Sequence, residues 1–348
     1  MTQETRFVGL DVGKLEIYAF DAGRDAEIIV TNTGSGHLAL ADWLGDPNDI
    51  VIALESTGGY EWMVWQNLND AGFDARQVSA AHVRSFSRAS GALAKTDPID
   101  ARLIARFIAF RPTAGRKPPA YKVREINRLN VKRRQLVEMR KRLRCQVKQR
   151  HSPQLDEMDT DLLDLLTQQI ADLEGLIETA ISSCQELSNR AKILRTIPGI
   201  GPVLMANLIG DLPELGHCSD KQIAALAGLA PINNDSGKMA GKRAIKGGRY
   251  AIRGLFYQAA LVASNHNPVL RIFAKRLREK GKPHKVVLIA VARKLLIIAN
   301  VLVAKKCGLG AKLNTVATFD ATVFLGRRRR CALEGGLFRH LSRDLAAR

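Results

Sequence analysis

Cysteine is scarce and unpatterned in this chain of 348 residues. The five cysteines, at 145, 184, 218, 307 and 331, form no CxxC or other metal-like spacing. Neither a disulfide framework nor a zinc site is expected to organise the fold, and a reduced compartment suits it. Negative charge is short as well: 34 Asp and Glu stand against 53 Lys and Arg, a net charge of +19 with a pI near 10.0. Such an excess implies a polyanionic partner, nucleic acid before all others, bound with strong salt dependence. No long apolar run is free of charge. The longest, residues 286–304, has Arg293 and Lys294 at its centre, where each charge costs roughly 2.5–3.5 kcal/mol on insertion scales; a core helix is expected there, and no membrane partner. Glu4 and Arg6 precede Phe7-Val8-Gly9-Leu10 without an apolar signal core, so the expected location is the cytoplasm, in association with the nucleoid. The length suits two or three domains with a sizeable core.

The first hundred residues alternate between strand and helix patterns. Residues 6–12 read as a strand with Val8, Leu10 and Val12 on one face and Asp11 on the other. Strand-like runs follow at 15–20 and 27–31, then a helical stretch at 36–44. Ile50-Val51-Ile52-Ala53-Leu54 is a continuous apolar run of the kind that marks a buried parallel strand, and it ends at Glu55. A turn at Ser56-Thr57-Gly58-Gly59 leads to an amphipathic helix at 60–71, a strand at 73–78 and a helix that starts at Asp97. The expected order is β-β-β-α-β-α-β-α. Ligands gather at the carboxyl ends of strands in such sheets, where Asp11 and Glu55 are placed. Asp97 and Asp100, three apart, share a helix face and could hold a hard, oxygen-liganded cation such as Mg²⁺. An ordinary helix start, with Asp97 at the N-cap and Pro98 at N1, explains the same residues.

The middle of the chain is polarised. Residues 116–150 hold fourteen Lys and Arg against two Glu, and residues 151–190 hold nine Asp and Glu against one Arg, with the change at Ser152-Pro153. Leu129, Leu136 and Leu143 recur at heptad spacing, interrupted by Arg133 and Arg140. Leu162, Leu166, Ile170, Leu173, Ile177 and Ile181 keep three-and-four spacing. Two long helices are expected, paired by charge either as an antiparallel hairpin or as a coiled coil between subunits. Further on, Ile197-Pro198-Gly199-Ile200-Gly201-Pro202 has the form of a helix-hairpin-helix turn, in which Gly199 and Gly201 let backbone N–H groups approach a phosphate. A polar stretch, Asn233 to Lys238, precedes Lys242, Arg243, Lys246, Arg249 and Arg253. These five are phosphate-binding candidates. Helices are expected at 223–229, 255–264, 268–278 and 286–304.

Gly9-Leu10-Asp11-Val12-Gly13-Lys14, Glu55-Ser56-Thr57-Gly58 and Lys95-Thr96-Asp97-x-x-Asp100-Ala101 together resemble the DEDD transposases of insertion-sequence family one-ten, over roughly residues 6–305. The resemblance implies an α/β, ribonuclease-H-like (RuvC-like) catalytic domain at 1–115 with Asp11, Glu55, Asp97 and Asp100 as its Mg²⁺-binding tetrad. It implies an all-α remainder: a coiled-coil arm at 116–190, which joins protomers into a dimer or tetramer and helps hold a structured guide RNA, and a mainly helical transposase domain at 191–305. Ser236-Gly237 resembles that domain's nucleophilic serine, which forms a covalent phosphoserine link to DNA. The family's composite site sets one protomer's tetrad against another's serine. Residues 306–348, including Arg327-Arg328-Arg329-Arg330, depart from the family's short ending and form a basic tail without an assigned role. The expected function is RNA-guided, Mg²⁺-dependent DNA transposition. Two alternatives stay open from the residues: a RuvC-like junction-resolving nuclease, and a non-catalytic nucleic-acid-binding protein.

Overall fold

The structure is a computed structural model. It describes residues 5–91, 97–149, 152–232, 241 and 243–307, apart from the side chains at 97–99 and 153. Two compact units divide the chain, one ending at Ala120 and the next beginning at Tyr121.

The first unit contains β1 (Arg6–Val12), β2 (Glu16–Asp21), β3 (Ala26–Thr31), α1 (Gly34–Leu44), β4 (Ile50–Glu55), α2 (Trp62–Asp70), β5 (Asp74–Val78), α3 (Ala80–Ala89) and α4 (Asp97–Phe110). The strands form one mixed sheet in the order β3-β2-β1-β4-β5. Strands β1, β4 and β5 are parallel neighbours, and β2 runs antiparallel to both β1 and β3. This is the mixed α/β architecture expected of a ribonuclease-H-like domain. Alternation along β1 and β4 sorts their side chains between two cores. Val8, Leu10, Val12, Ile50, Ile52 and Leu54 join Leu40 and Leu44 of α1 and Val64, Trp65 and Leu68 of α2 on one side. Ala53, Val51 and Phe7 meet Val83 of α3 and Ile104, Phe107 and Ile108 of α4 on the other.

Gly9 decides how closely α4 can lie. A Cβ built there falls within 3.0 Å of both the Ala101 carbonyl oxygen and the Ala105 amide nitrogen. The first turns of α4 thus rest on the backbone of β1. Helix α3, absent from the expected order, has a single buried residue, Val83; it is ten residues long and mostly polar, with Arg84, Ser85, Ser87 and Arg88, which hides it among loop-like sequence.

The second unit is helical: α5 (Tyr121–Val147), α6 (Pro153–Ser182), α7 (Gln185–Arg195), α8 (Pro202–Asp211), α9 (Asp220–Leu226), α10 (Tyr250–His266), α11 (Pro268–Glu279) and α12 (His284–Ala304). A two-residue pair, β6 (Pro231–Ile232) with β7 (Ala244–Ile245), is antiparallel. Helix α6 begins where the charge inverts, with Ser152 at the N-cap and Pro153 at its start. Helices α5 and α6 pack antiparallel through Leu136, Leu143, Leu166 and Ile170. Arg133 and Arg140, which break the heptad seam, reach across it: Arg133 pairs with Glu174 and Arg140 donates to Thr167 Oγ1 at 3.2 Å. The hairpin form of the two expected pairings is therefore present within the chain. Helix α9 sits three residues earlier than expected because Ser219 and Gln222 close a capping box at its start. Helix α12 is long and apolar enough to cross a membrane by length and composition. Its Val287, Leu288, Val291, Ala292, Leu295, Leu296 and Ala299 are all fully buried in the core of this unit, as a core helix requires.

Candidate active site

Strand register brings the first two acids together. In the parallel ladder Gly9 lies opposite Ala53 and Leu10 opposite Leu54, so Asp11 and Glu55 hold corresponding positions on adjacent strands, one residue past the last pair. On its other side Asp11 lies opposite Tyr18, and Glu55 lies opposite Val78. Both acids share the parity of Gly9 and Ala53 and point to the side of the sheet covered by α3 and α4. Each is half-buried. Asp100 is in the first turn of α4, immediately before Ala101, whose carbonyl abuts Gly9. Asp97 opens that helix, and its side chain lies outside the described residues. Among the described residues, no group of three or more His, Cys, Asp or Glu is assembled to hold a metal ion. What is present is a carboxylate pair on one face of the sheet, with a third acid on the adjoining helix. The donors are all oxygen, which fits a hard divalent cation and not a thiolate- or imidazole-seeking one.

The connection that follows Glu55 is fastened from inside. Glu61 is 1% exposed. Its carboxylate accepts from the Thr57 N–H (3.2 Å), the Thr57 hydroxyl (3.1 Å), the Gly59 N–H (2.8 Å) and Gln77 Nε2 (3.0 Å). Gln77 Oε1 in turn accepts two bonds from Arg116, at 3.1 and 2.7 Å. Gly58 and Gly59 take φ of 81° and 119°, which bends this turn back over the carboxylate. Sequence reasoning did not single out Glu61, Gln77 or Arg116. The acid two residues beyond a Gly-Gly turn was the one available signal; the Gln77–Arg116 pairing spans 39 residues and leaves none.

The basic elements belong to the second unit. The turn between α7 and α8 has its glycines, but for different reasons. Gly199, at φ 105°, would place a Cβ 2.7 Å from Ala263 Cβ, so the close approach of α10 requires a glycine there. Gly201 caps α8 with open space around it and keeps that helix start accessible. Ser236 and Lys242 lie outside the described residues. The segment that carries them leaves from β6 and returns in β7, whose pairing of Ile232 with Ala244 closes its base. Arg243 and Lys246 are exposed. Arg249 is not a free phosphate ligand: its guanidinium is committed to Glu214 in a two-pronged pair at 2.7 and 2.6 Å. To meet a phosphate it must first break these two charge-assisted bonds. Arg253 donates to the Gly247 carbonyl (3.2 Å) and lies over the Tyr250 ring, leaving part of its fork for other acceptors.

Comparison with known proteins agrees with this layout. The profile DEDD_Tnp_IS110, described as a transposase, matches residues 8–158. The profile described as the transposase IS116/IS110/IS902 family matches residues 191–275. The pilin gene-inverting protein of Moraxella bovis is 28% identical over 321 residues, covering 84% of this chain and 94% of that protein. Its counterpart in Moraxella lacunata has the same identity and coverage. The insertion element IS900 uncharacterized 42 kDa protein of Mycobacterium paratuberculosis is 33% identical over 137 residues, covering 38% of this chain and 33% of that protein. With one profile spanning the sheet and its acids and the other spanning α7 to α11, the chain belongs to the IS110 family of transposases and is a DNA transposase or recombinase.

Proposed function

We propose that this transposase cleaves and rejoins the ends of its own element through a covalent link to Ser236, with Asp11, Glu55, Asp97 and Asp100 as the residues that hold Mg²⁺. The observation that carries the reading is the juxtaposition of Asp11 and Glu55 on one face at the carboxyl ends of two parallel strands, in order with Asp100 on α4. A bound divalent cation supplies charge neutralisation and Lewis-acid polarisation at a phosphodiester. The chain's own residues do the rest. Asp11 and Glu55 are kept on one face by the ladder, and Glu61 holds the turn behind Glu55. Ser236 Oγ bonds to phosphorus as a P–O bond of the strand breaks, and the serine proton balances the one taken up by the released hydroxyl. Attack by the hydroxyl of the exchanged strand reverses the step and frees the serine, so no ATP is needed. The serine follows from the family resemblance and needs a base or metal to activate it. We assign that activation to the tetrad of another protomer, with residues 1–115 as the metal-binding domain and 191–305 as the serine-bearing one.

Two surfaces support the assembly. Leu155, Met158, Leu162 and Leu165 are 39, 68, 43 and 54% exposed and recur at three-and-four spacing on a face of α6 adjoining the hairpin seam. A second copy of the arm would cover them, giving the dimer or tetramer. Along α5 and just past its end, Arg140, Lys141, Arg144 and Lys148 line a shallow recess of about 250 Å³ with Val137 and Cys145; charge of this kind suits DNA or a structured guide RNA. Arg243, Lys246, Arg253 and the capped α8 start at Gly201 are assigned to DNA phosphates, and Lys242 by its place in the same segment.

The test is adduct trapping on element-end DNA. The wild type should leave a denaturant-resistant protein–DNA species that vanishes in Ser236→Ala, and Asp11→Asn should abolish cleavage. Undiminished cleavage by Ser236→Ala rules out the serine mechanism and leaves hydrolysis by water, the resolvase-like alternative.

A further inference from the structure

Just past the last ladder pair between β1 and β4, a polar network joins the chain after Asp11 to the chain after Glu55. The β1–β4 ladder ends at Leu10 opposite Leu54; beyond it Asp11 stays paired with Tyr18 of β2 and Glu55 with Val78 of β5, so no ladder pair ties the two acids directly to each other. Asn32, which leaves the end of β3, supplies bonds there. Its side-chain amide nitrogen donates to the Gly13 carbonyl (2.9 Å) and to the Tyr60 carbonyl (3.1 Å). Its backbone N–H donates to the Leu15 carbonyl at 2.7 Å. One side chain thus spans the β1–β2 turn and the β4–α2 turn.

The amide is itself oriented from behind. His37 Nε2 donates to Asn32 Oδ1 at 2.8 Å, and Asn67 Nδ2 donates to His37 Nδ1 at 2.9 Å. This pattern uses one ring nitrogen as donor and the other as acceptor, which only the neutral imidazole can do. His37 is 4% exposed, and burial holds its pKa below the usual histidine range. A ring fixed in this way leaves Oδ1 as the acceptor and turns both protons of the Asn32 nitrogen toward the two carbonyls. Glu61 grips the β4–α2 turn from inside while Asn32 ties it sideways to the neighbouring turn.

We infer that Asn32, oriented by His37 and Asn67, is a positioning residue for the Asp11–Glu55 pair, setting the separation of the two carboxylates beyond the end of the ladder. The inference rests on the reading that this pair holds a divalent cation. A side chain that only stabilised the fold would not be required to bridge both turns, and its loss would not reach cation affinity.

The experiment titrates Mn²⁺ into the full-length protein by calorimetry, with hydrogen exchange followed by mass spectrometry on the same samples. Asn32→Asp replaces the double donor with an acceptor facing two carbonyls, and Asn32→Ala removes it without repulsion. Both should weaken Mn²⁺ binding by about tenfold or more, the usual effect of losing a group that orients metal ligands. Peptides covering residues 12–16 and 56–61 should exchange faster together, with β1 and β4 unchanged. Wild-type Mn²⁺ affinity in both variants, or loosening of one turn alone, overturns the inference. Asn32→Ala decides the matter if Asn32→Asp does not fold. Asp11→Asn is the reference: undiminished Mn²⁺ binding in that variant overturns the carboxylate reading and the inference with it, whereas loss in Asp11→Asn with none in the Asn32 variants overturns the inference alone.

Discussion

Replacing Gly9 by Ala adds one methyl group at the point where α4 rests on β1. The new Cβ would meet the Ala101 carbonyl oxygen and the Ala105 amide nitrogen, both backbone atoms, inside 3.0 Å, where ordinary contact begins near 3.4 Å. Neither atom can rotate away, so α4 must retreat by about 1 Å, the distance that restores normal van der Waals separation. Overpacking of this kind costs about 1–3 kcal/mol. The functional consequence is larger, because the retreating turn carries Asp97 and Asp100 while Asp11 stays on β1. A displacement of about 1 Å at reacting groups costs on the order of 100-fold in rate. Urea unfolding should therefore show a loss of about 1–3 kcal/mol, and strand cleavage of element-end DNA, assayed where both proteins are folded, should fall about 100-fold. Gly34→Ala is the control: its Cβ meets nothing within 4 Å, and stability should move by less than about 0.5 kcal/mol. Gly9→Ala cleaving at the wild-type rate refutes the claim that the packing of α4 on β1 sets the carboxylate geometry.

Glu61→Gln should destabilise the first unit by about 1–3 kcal/mol, since one end of the amide must present a donor to a donor, either Gln77 Nε2 or the Thr57 and Gly59 groups on the other oxygen; wild-type urea stability would discount that turn's dependence on Glu61. A double-mutant cycle on Arg133 and Glu174 should give a coupling below about 1 kcal/mol, because Glu174 is 49% exposed and such pairs are well solvated; a coupling of several kcal/mol would make the arm more rigid than its exposure implies. Acid should weaken the fold in two windows. His37 has a lowered pKa in the folded state, so the unfolded chain takes up a proton first: the stability is present above about pH 6.5 and falls as pH drops below it. Asp74 is lowered chiefly by its hydrogen bonds from Arg76, against a desolvation penalty, so its contribution holds above about pH 4 and is lost below. The slope of unfolding free energy between about pH 6.5 and 5 should shrink in His37→Gln; an unaltered slope would show that His37 is not its source.

Much of the architecture is legible residue by residue. Strands β1 and β4 stand out because Val8, Leu10 and Val12 keep a period of two, and because Ile50 to Leu54 is apolar on both faces of a covered strand. The break between α5 and α6 announces itself in the charge inversion at Ser152. Helix α3 escapes because it buries only Val83. The committed state of Arg249 escapes because Glu214 lies 35 residues away, and a basic run reads the same whether its members face phosphate or a carboxylate. The close approach of Ala263 to Gly199 escapes as well, because the two lie 64 residues apart.

Local pattern, then, was enough to establish the strands, the long helices, the excess of positive charge and the ordered acids at 11, 55, 97 and 100, since periodicity, charge and motif order are properties of neighbours along the chain. The tertiary structure decided that Asp11 and Glu55 are neighbours on one face, that Gly9 admits α4, that Glu61 and Asn32 hold the turns behind the acids, and that Glu214 occupies Arg249. Those pairings are made by strand register and helix packing between segments far apart in sequence, where no local propensity encodes which polar group meets which.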